Sequence, residues 1–476
     1  MIKEPIEKTK AYHEPYRNQF HFSPREGWMN DVNGVWYADG WYHLTYQADE
    51  KHLCSTSVGW GHAVSRDLLH WVQKPMALEP GVNTVGQAYS GTAVVDVDNT
   101  AGFGKGAAIL IYTDSCIGQC LNYWEESRQE FVPYEHNPII VLDEAGQQDG
   151  LEPGAQRDPK VFWDERTRQW ILMIYREREP KHGQVLQVYR SPNLKQWERL
   201  EDFLQEDYRE CPNFYPLHLD GGEQKWVIQA ASGRYCIGYF DGERFVVEQD
   251  FRKNLLGGRD AYAGQTFVNL PDDRTVYMCW LDDWSGSTVE TEPWRNAASF
   301  PYELDLRTLP DGSWHIFANP IREIERLYSG TTCRTEGQWV DMEQNPLDRC
   351  MIHQADMTMA FDLTNTEATS LFFQIKGKEL QYIIKEHVLC SNTSVITTKD
   401  SWGTGTYRLE CPCCDGKLKM RLLIDNDSLE IVFQDGQRLY MEEYGFEPDA
   451  ERFSVTADAR VWLEYAEWTP IRSIWD

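Results

Sequence analysis

No stretch of the 476 residues carries the run of about 18 apolar side chains that a membrane-spanning helix requires, so no crossing of a bilayer is expected. Positive charge is scarce as well: 46 Lys and Arg face 75 Asp and Glu, for a formal net charge of −29. Such a chain repels nucleic-acid phosphates and anionic lipid, which removes both as partners and leaves solubility as the plain consequence. The first residues, Met1-Ile2-Lys3-Glu4-Pro5-Ile6-Glu7-Lys8, lack the apolar core of a secretory signal, which points to the cytoplasm. The 12 cysteines are then expected as reduced thiols. Neither Cys411-Pro412-Cys413-Cys414 nor Cys116 with Cys120 has the paired spacing of a zinc site, and no histidines cluster beside them. No metal and no cofactor are expected. Helical periodicity is also scarce, and strand-like runs dominate.

What the chain has in quantity is aromatic surface: 19 Trp, 24 Tyr and 19 Phe. Such rings stack on the apolar faces of sugars, but they also suit strands, and composition does not choose. Order along the chain is more informative. One strand type recurs: Trp41–Tyr46, Ala107–Tyr112, Trp170–Tyr175, Trp226–Ala231 and Val276–Trp280, with ends 66, 63, 56 and 49 residues apart. A second signature repeats at an offset of 126 residues, Ser65-Arg66-Asp67-Leu68-Leu69-His70-Trp71 against Ser191-Pro192-Asn193-Leu194-Lys195-Gln196-Trp197. Five all-β units at this period predict a five-bladed β-propeller over residues 1–325. Pro320 to Leu327 reads as a short helix, with apolar residues at 321, 324 and 327, and 326–334 as a linker. Short alternating strands from 335 to 476, such as Leu371–Ile375 and Leu429–Phe433, predict a β-sandwich, with a turn at Asp425–Ser428. The fold class is all-β.

In a propeller the strand before each recurring strand lines the axis. Polar residues stand there at comparable offsets: Asp31 lies 15 residues before Tyr46, Ser90 22 before Tyr112, Asp158 17 before Tyr175, Glu210 21 before Ala231 and Gln265 15 before Trp280. Taken singly, Asp31-Val32-Asn33-Gly34 and Asp158-Pro159 read as turns, and Glu210 as a surface charge. Taken together, they put three carboxylates in one axial pocket. Crowded like charges raise at least one pKa, which is what a general acid needs near neutral pH. Two carboxyls about 5–5.5 Å apart are the arrangement of retaining glycoside hydrolysis.

Trp28-Met29-Asn30-Asp31-Val32-Asn33-Gly34 resembles the W-M-N-D-P-N-G signature of glycoside hydrolase family 32, the invertases, inulinases and levanases. Arg157-Asp158-Pro159 resembles that family's R-D-P motif, and Glu210-Cys211-Pro212 its E-C-P motif. Tyr42–Gln47, Trp60–Ser65, Tyr89–Ala93, Asp260–Gln265 and Trp294-Arg295 continue the likeness across residues 20–330. The resemblance implies Asp31 as nucleophile, Glu210 as acid/base and Asp158 as holder of the fructosyl hydroxyls. It implies a fructose pocket shaped by Asn30, Gln47, Trp60, Ser90 and Arg157, with Trp284 as an aromatic wall. Arg157 is expected to help keep Asp158 ionised, and Cys211 to tune Glu210 rather than act as nucleophile. Val32 replaces the usual Pro, Asn296 stands where Gly is common, and Ser115 to Glu130 matches poorly. The partner implied is a small sugar, sucrose or a short fructo-oligosaccharide, with a homodimer left open. Two other uses of the same site are a transfructosylase and a sucrose-6-phosphate hydrolase. A non-catalytic sugar-binding propeller is the reading from another class, and the presence of all three carboxylates speaks against it.

Overall fold

The computed structural model describes residues 12–142, 156–177, 184–205, 208–282, 291–348, 350–391, 396–398, 401–403, 407–446 and 450–476. Among the described residues, five sheets follow one another up to Pro320, antiparallel except for one short parallel pairing in the first. Their leading strands are Gly27–Ala38, Ala88–Asp96, Gln156–Asp164, Asn213–His218 and Ala261–Thr266. The recurring strand of the sequence is the second strand of each sheet: Trp41–Asp49, Ala107–Asp114, Gln169–Arg176, Gln224–Gln229 and Val276–Leu281.

Ala107–Tyr112, Trp170–Tyr175 and Val276–Leu281 in these second strands are apolar without interruption because both of their faces are buried. Ile109 and Ile111 pack with Leu172 and Ile174 of the third sheet, while Leu110 and Tyr112 between them pack with Trp36 and Trp60 of the first. On the third sheet, Ile171 and Met173 turn the other way, toward Phe214 and Ile228 of the fourth. A strand's period of two is thus present, hidden by two cores instead of one. The Ser-to-Trp signature also has a structural counterpart. In both copies it follows the third strand, with Leu68 (φ 66°) and Leu194 (φ 62°) in the left-handed region. The Asp67 and Asn193 side chains accept backbone N–H bonds from the residues two and three further on.

The five leading strands touch in cyclic order, the last against the first. Closure is backbone-made: Gly27 and Trp28 pair in parallel with Trp294 and Arg295, and Trp36 bridges Val268. Gly34 lets two leading strands approach, since a Cβ there would lie 2.6 Å from that of Ala93. Asp31–Gly34 is therefore strand, not turn.

The connecting helix is Arg322–Leu327, a 3₁₀ helix that buries Ile324 and Leu327. Beyond it, two six-stranded antiparallel sheets enclose one core that includes Met359, Phe373, Leu422 and Phe453. The expected strands appear as Ser370–Ile375 and Ser428–Phe433, and Asp425 N–H donates to Ser428 O across the expected turn. This second part packs on the fourth and fifth sheets. Leu439 and Met441 donate backbone bonds to Leu255 and Gly257 (3.1 and 3.0 Å). Gly258 (φ 93°) sits so close that a Cβ would meet Met441 O at 2.1 Å. Among the described residues, no helix is long and apolar enough to cross a membrane.

Candidate active site

Four of the five leading strands break register near their first residues. The shifts fall between Met29 and Val32, Ala88 and Gly91, Arg157 and Pro159, and Tyr262 and Gln265. A bulge adds a residue and re-aims a side chain. The residues that stand at these breaks are Asn30-Asp31, Tyr89-Ser90, Asp158 and Ala263-Gly264. Asp158 (φ 64°), Glu210 (φ 41°), Cys211 (φ 44°) and Ala263 (φ 50°) all hold left-handed backbone. Each such conformation costs on the order of 1–3 kcal/mol, which marks one place where local strain is retained.

Asp31, Asp158 and Glu210 converge there. Ser90 Oγ donates to Asp31 Oδ2 at 2.5 Å, and the Cys211 thiol donates to the same oxygen at 3.2 Å. The Cys211 N–H donates to Asp158 Oδ2 at 3.0 Å, so one residue spans two carboxylates. Asp158 is held from behind by its own N–H, which donates to Thr113 Oγ1 at 3.0 Å. Glu210 receives Arg157 Nη2 on Oε1 at 2.6 Å and the Tyr262 hydroxyl on Oε2 at 2.5 Å.

Burial drives the electrostatics. It lifts the Asp31 carboxyl to about 7, against the Ser90 and Cys211 bonds, with the charges of Asp158 and Glu210 adding to the rise. Asp158 is also raised, first by burial, with Arg157 opposing and Glu210 assisting. The Cys211 thiol is pushed well above its ordinary value by burial and the surrounding carboxylates, so it remains an S–H donor. Cys211 thus hydrogen-bonds Asp31 and Asp158, beyond the neighbourly tuning of Glu210 that the sequence suggested. Arg157 lies 3.7 Å from Asp158, but its short bond is to Glu210.

The remaining expected residues form a layer around Asp31. Asn30 Nδ2 donates to Gln47 Oε1 (3.0 Å), and Gln47 Nε2 to Ser90 Oγ (2.9 Å). Trp60 is fully buried, with its indole N–H bonded to the carbonyl of Tyr89 (3.0 Å), the residue before Ser90. Trp284 lies outside the described residues. Among the described residues Gln265 bonds no carboxylate; it meets Lys160 and the Pro212 carbonyl, and the fifth strand reaches the site through Tyr262. Sequence reading passed over Tyr262 and Thr113. Tyr262 lay inside the Asp260–Gln265 match without a distinguishing signal, and Thr113 simply follows the aromatic end of its strand. Asn296 has a clear reason: at φ 71° it fills a position suited to Gly, and its Nδ2 donates to Met29 O beside the site. Among the described residues, no group of three or more His, Cys, Asp or Glu is placed to hold a metal.

This geometry can be set beside known proteins. Residues 21–317 match the N-terminal domain of glycosyl hydrolases family 32. The chain is 31% identical over 474 residues to a levanase of Bacillus subtilis, covering 90% of this chain and 66% of that protein, so it spans about two thirds of its length. It is 28% identical over 488 residues to an extracellular exo-inulinase of Aspergillus awamori, covering 90% and 89%. The crystal structure of exo-inulinase from Aspergillus awamori superposes with a TM-score of 0.84 at 24% identity, covering 98% of this chain and all of that one, and this likeness speaks to fold alone. The family match includes the segments that carry Asp31, Asp158 and Glu210, and with it the protein is established as a glycoside hydrolase belonging to family 32.

Proposed function

We propose that the protein is a retaining β-fructofuranosidase that releases terminal fructose from sucrose and short fructo-oligosaccharides. The observation that carries this is the convergence of Asp31, Asp158 and Glu210, tied together by Cys211. In this reading Asp31 attacks the anomeric C2, and the bond from C2 to the leaving oxygen breaks as Glu210 gives that oxygen a proton. Glu210 then takes a proton from water as the water displaces Asp31 from the fructosyl-enzyme. The Ser90 and Cys211 donors orient Asp31 and favour its ionised form. Arg157 and Tyr262, both aimed at Glu210, suit the carboxylate that activates water. Asp158 holds the fructosyl hydroxyls and stabilises the positive charge that develops on the ring, while Asn30, Gln47, Trp60, Ser90 and Arg157 shape the fructose pocket. The names of relatives, a levanase and an exo-inulinase, support a fructosyl substrate.

The cyclic contact of the leading strands supports a five-bladed propeller over residues 1–325. The shared core of the last two sheets supports a sandwich over 335–476, with 326–334 as linker. Twelve unbridged cysteines support a reducing, cytoplasmic setting. The deciding experiment is chromatography of products from sucrose over time. Equal glucose and fructose is the expected result. Excess glucose with longer sugars means a transfructosylase, and no release removes sucrose as substrate. Cleavage at the wild-type rate by Asp31→Asn would overturn the nucleophile.

A further inference from the structure

Lys160 and Gln265 are buried within the ring of leading strands, and the reaction as written uses neither. Lys160 is 2% exposed and Gln265 3%. Lys160 stands two residues beyond Asp158 on the third sheet's leading strand, and its Nζ crosses to Gln265 Oε1 on the fifth sheet at 2.8 Å. The other end of that amide, Nε2, reaches Pro212 O at 3.4 Å. Thr266, the next residue, donates from Oγ1 to Asn213 Oδ1 at 3.1 Å. Pro212 and Asn213 directly follow the left-handed pair Glu210-Cys211. A buried amine is costly to keep and its bond here is to a neutral amide, so its retention asks for a use.

We propose that Lys160 is a positioning residue for the acid/base, acting through Gln265. The amine fixes the Gln265 carboxamide with its oxygen toward Lys160 and its N–H toward Pro212. The amide in turn braces the Glu210–Asn213 segment, whose backbone would otherwise relax from its left-handed conformation. Proton delivery to the leaving oxygen depends on where the Glu210 carboxyl stands, and misplacement by about 1 Å costs rate steeply. The segment also carries Cys211, which donates to Asp31 and Asp158, but Asp31 keeps the separate support of Ser90, itself held by Gln47 and Asn30, and Asp158 that of Thr113, so loss of the brace falls mainly on Glu210. This inference rests on the reading of Glu210 as acid/base.

A comparison of two leaving groups tests it. Sucrose needs its leaving oxygen protonated, whereas 4-nitrophenyl β-fructofuranoside carries a leaving group that departs without help. Lys160→Met is expected to lower kcat/KM on sucrose by about 30-fold, a part of the 10²–10⁴ that acid–base catalysis supplies. On the aryl fructoside kcat/KM is expected to stay within about threefold, because its fructosylation step bypasses the acid. Inhibition by fructose is expected to hold its constant. Gln265→Leu is expected to give the same split, and the double variant no further loss, as for two members of one unit. If Lys160→Met does not fold, Gln265→Leu alone decides. Equal losses on both substrates, or no loss on sucrose, would overturn the brace. Glu210→Gln is the control: absence of the split there, or a wild-type protein that cleaves neither substrate, would instead overturn the acid/base reading.

Discussion

In the pocket, Asp31 and Asp158 are buried beside Glu210 with Arg157 as the cation at hand, and both carboxyls are raised. At the junction between the two parts of the molecule, Asp425 and Glu430 are buried just as deeply, but around His21. His21 Nδ1 lies 2.8 Å from Asp425 and Nε2 3.4 Å from Glu430. Asp425 also accepts the Gln19 and Phe20 N–H groups, and Glu430 accepts Phe300 N–H and the Tyr302 hydroxyl. Burial opposes charge on His21, yet the two carboxylates outweigh it and lift the imidazole to about 9. The lesson is that burial itself does not define a functional acid. At the junction a cation stands between the two carboxylates and the cluster fastens two cores; in the pocket burial and crowded like charges raise Asp31 and Asp158.

The sharpest way to break this comparison is Asp31→Asn. Sucrose turnover is expected to fall by about 10⁵-fold, on the scale of losing a covalent nucleophile. The same variant is expected to melt higher than wild type at pH 8, with the difference closing toward pH 4. The folded carboxyl keeps its proton up to about 7, against an ordinary 3.8. Between those values the folded state binds more protons than the unfolded, so native stability declines as pH rises and stays low above 7. A variant no more stable at pH 8 would show that the pocket carries no such burden.

His21→Ala is the counterpart at the junction. Leaving Asp425 and Glu430 buried without their cation is expected to cost about 3–5 kcal/mol, read by denaturant unfolding. The KM for sucrose is expected to be unchanged. The pH dependence runs opposite to that of a depressed carboxylate: the His21 contribution is complete below about 6.5, lost as pH rises to about 9, and absent above. Wild type is therefore expected to weaken between these limits and His21→Ala to lack that decline; parallel curves would remove His21 as its source. Tyr262→Phe takes away one donor to Glu210 and is expected to lower kcat on sucrose about tenfold, the scale of one hydrogen bond to a charged group. Smallest of all is Glu198→Ala, which breaks the exposed pair with Arg190 and is expected to leave the melting temperature unmoved.

Much of this was legible in the amino-acid order. The second strands announced themselves by recurring apolar and aromatic runs, buried on both faces in Ala107–Tyr112, Trp170–Tyr175 and Val276–Leu281, and the Ser-to-Trp turns because Asp67 and Asn193 make local bonds. Asp31, Asp158 and Glu210 stood out by their equivalent offsets ahead of those strands. Gln265 shows the limit of the same logic: its offset matched that of Asp31, yet the bulge after Tyr262 turned it to Lys160 and sent the tyrosine to Glu210 instead. A bulge changes the parity of a strand, and parity is what offset counting assumes.

The sequence by itself determined the all-β class, the repeated units and the three acids, since these rest on periodicity and on bonds between near neighbours. Tertiary structure decided that Cys211 serves Asp31 across 180 positions, that Thr113 supports Asp158 across 45, and that His21 meets Asp425 across 404. No local pattern encodes such pairs. They exist because leading strands close into a ring and a second core docks beside them, bringing distant carboxylates out of water together, where neighbours and burial set their charge.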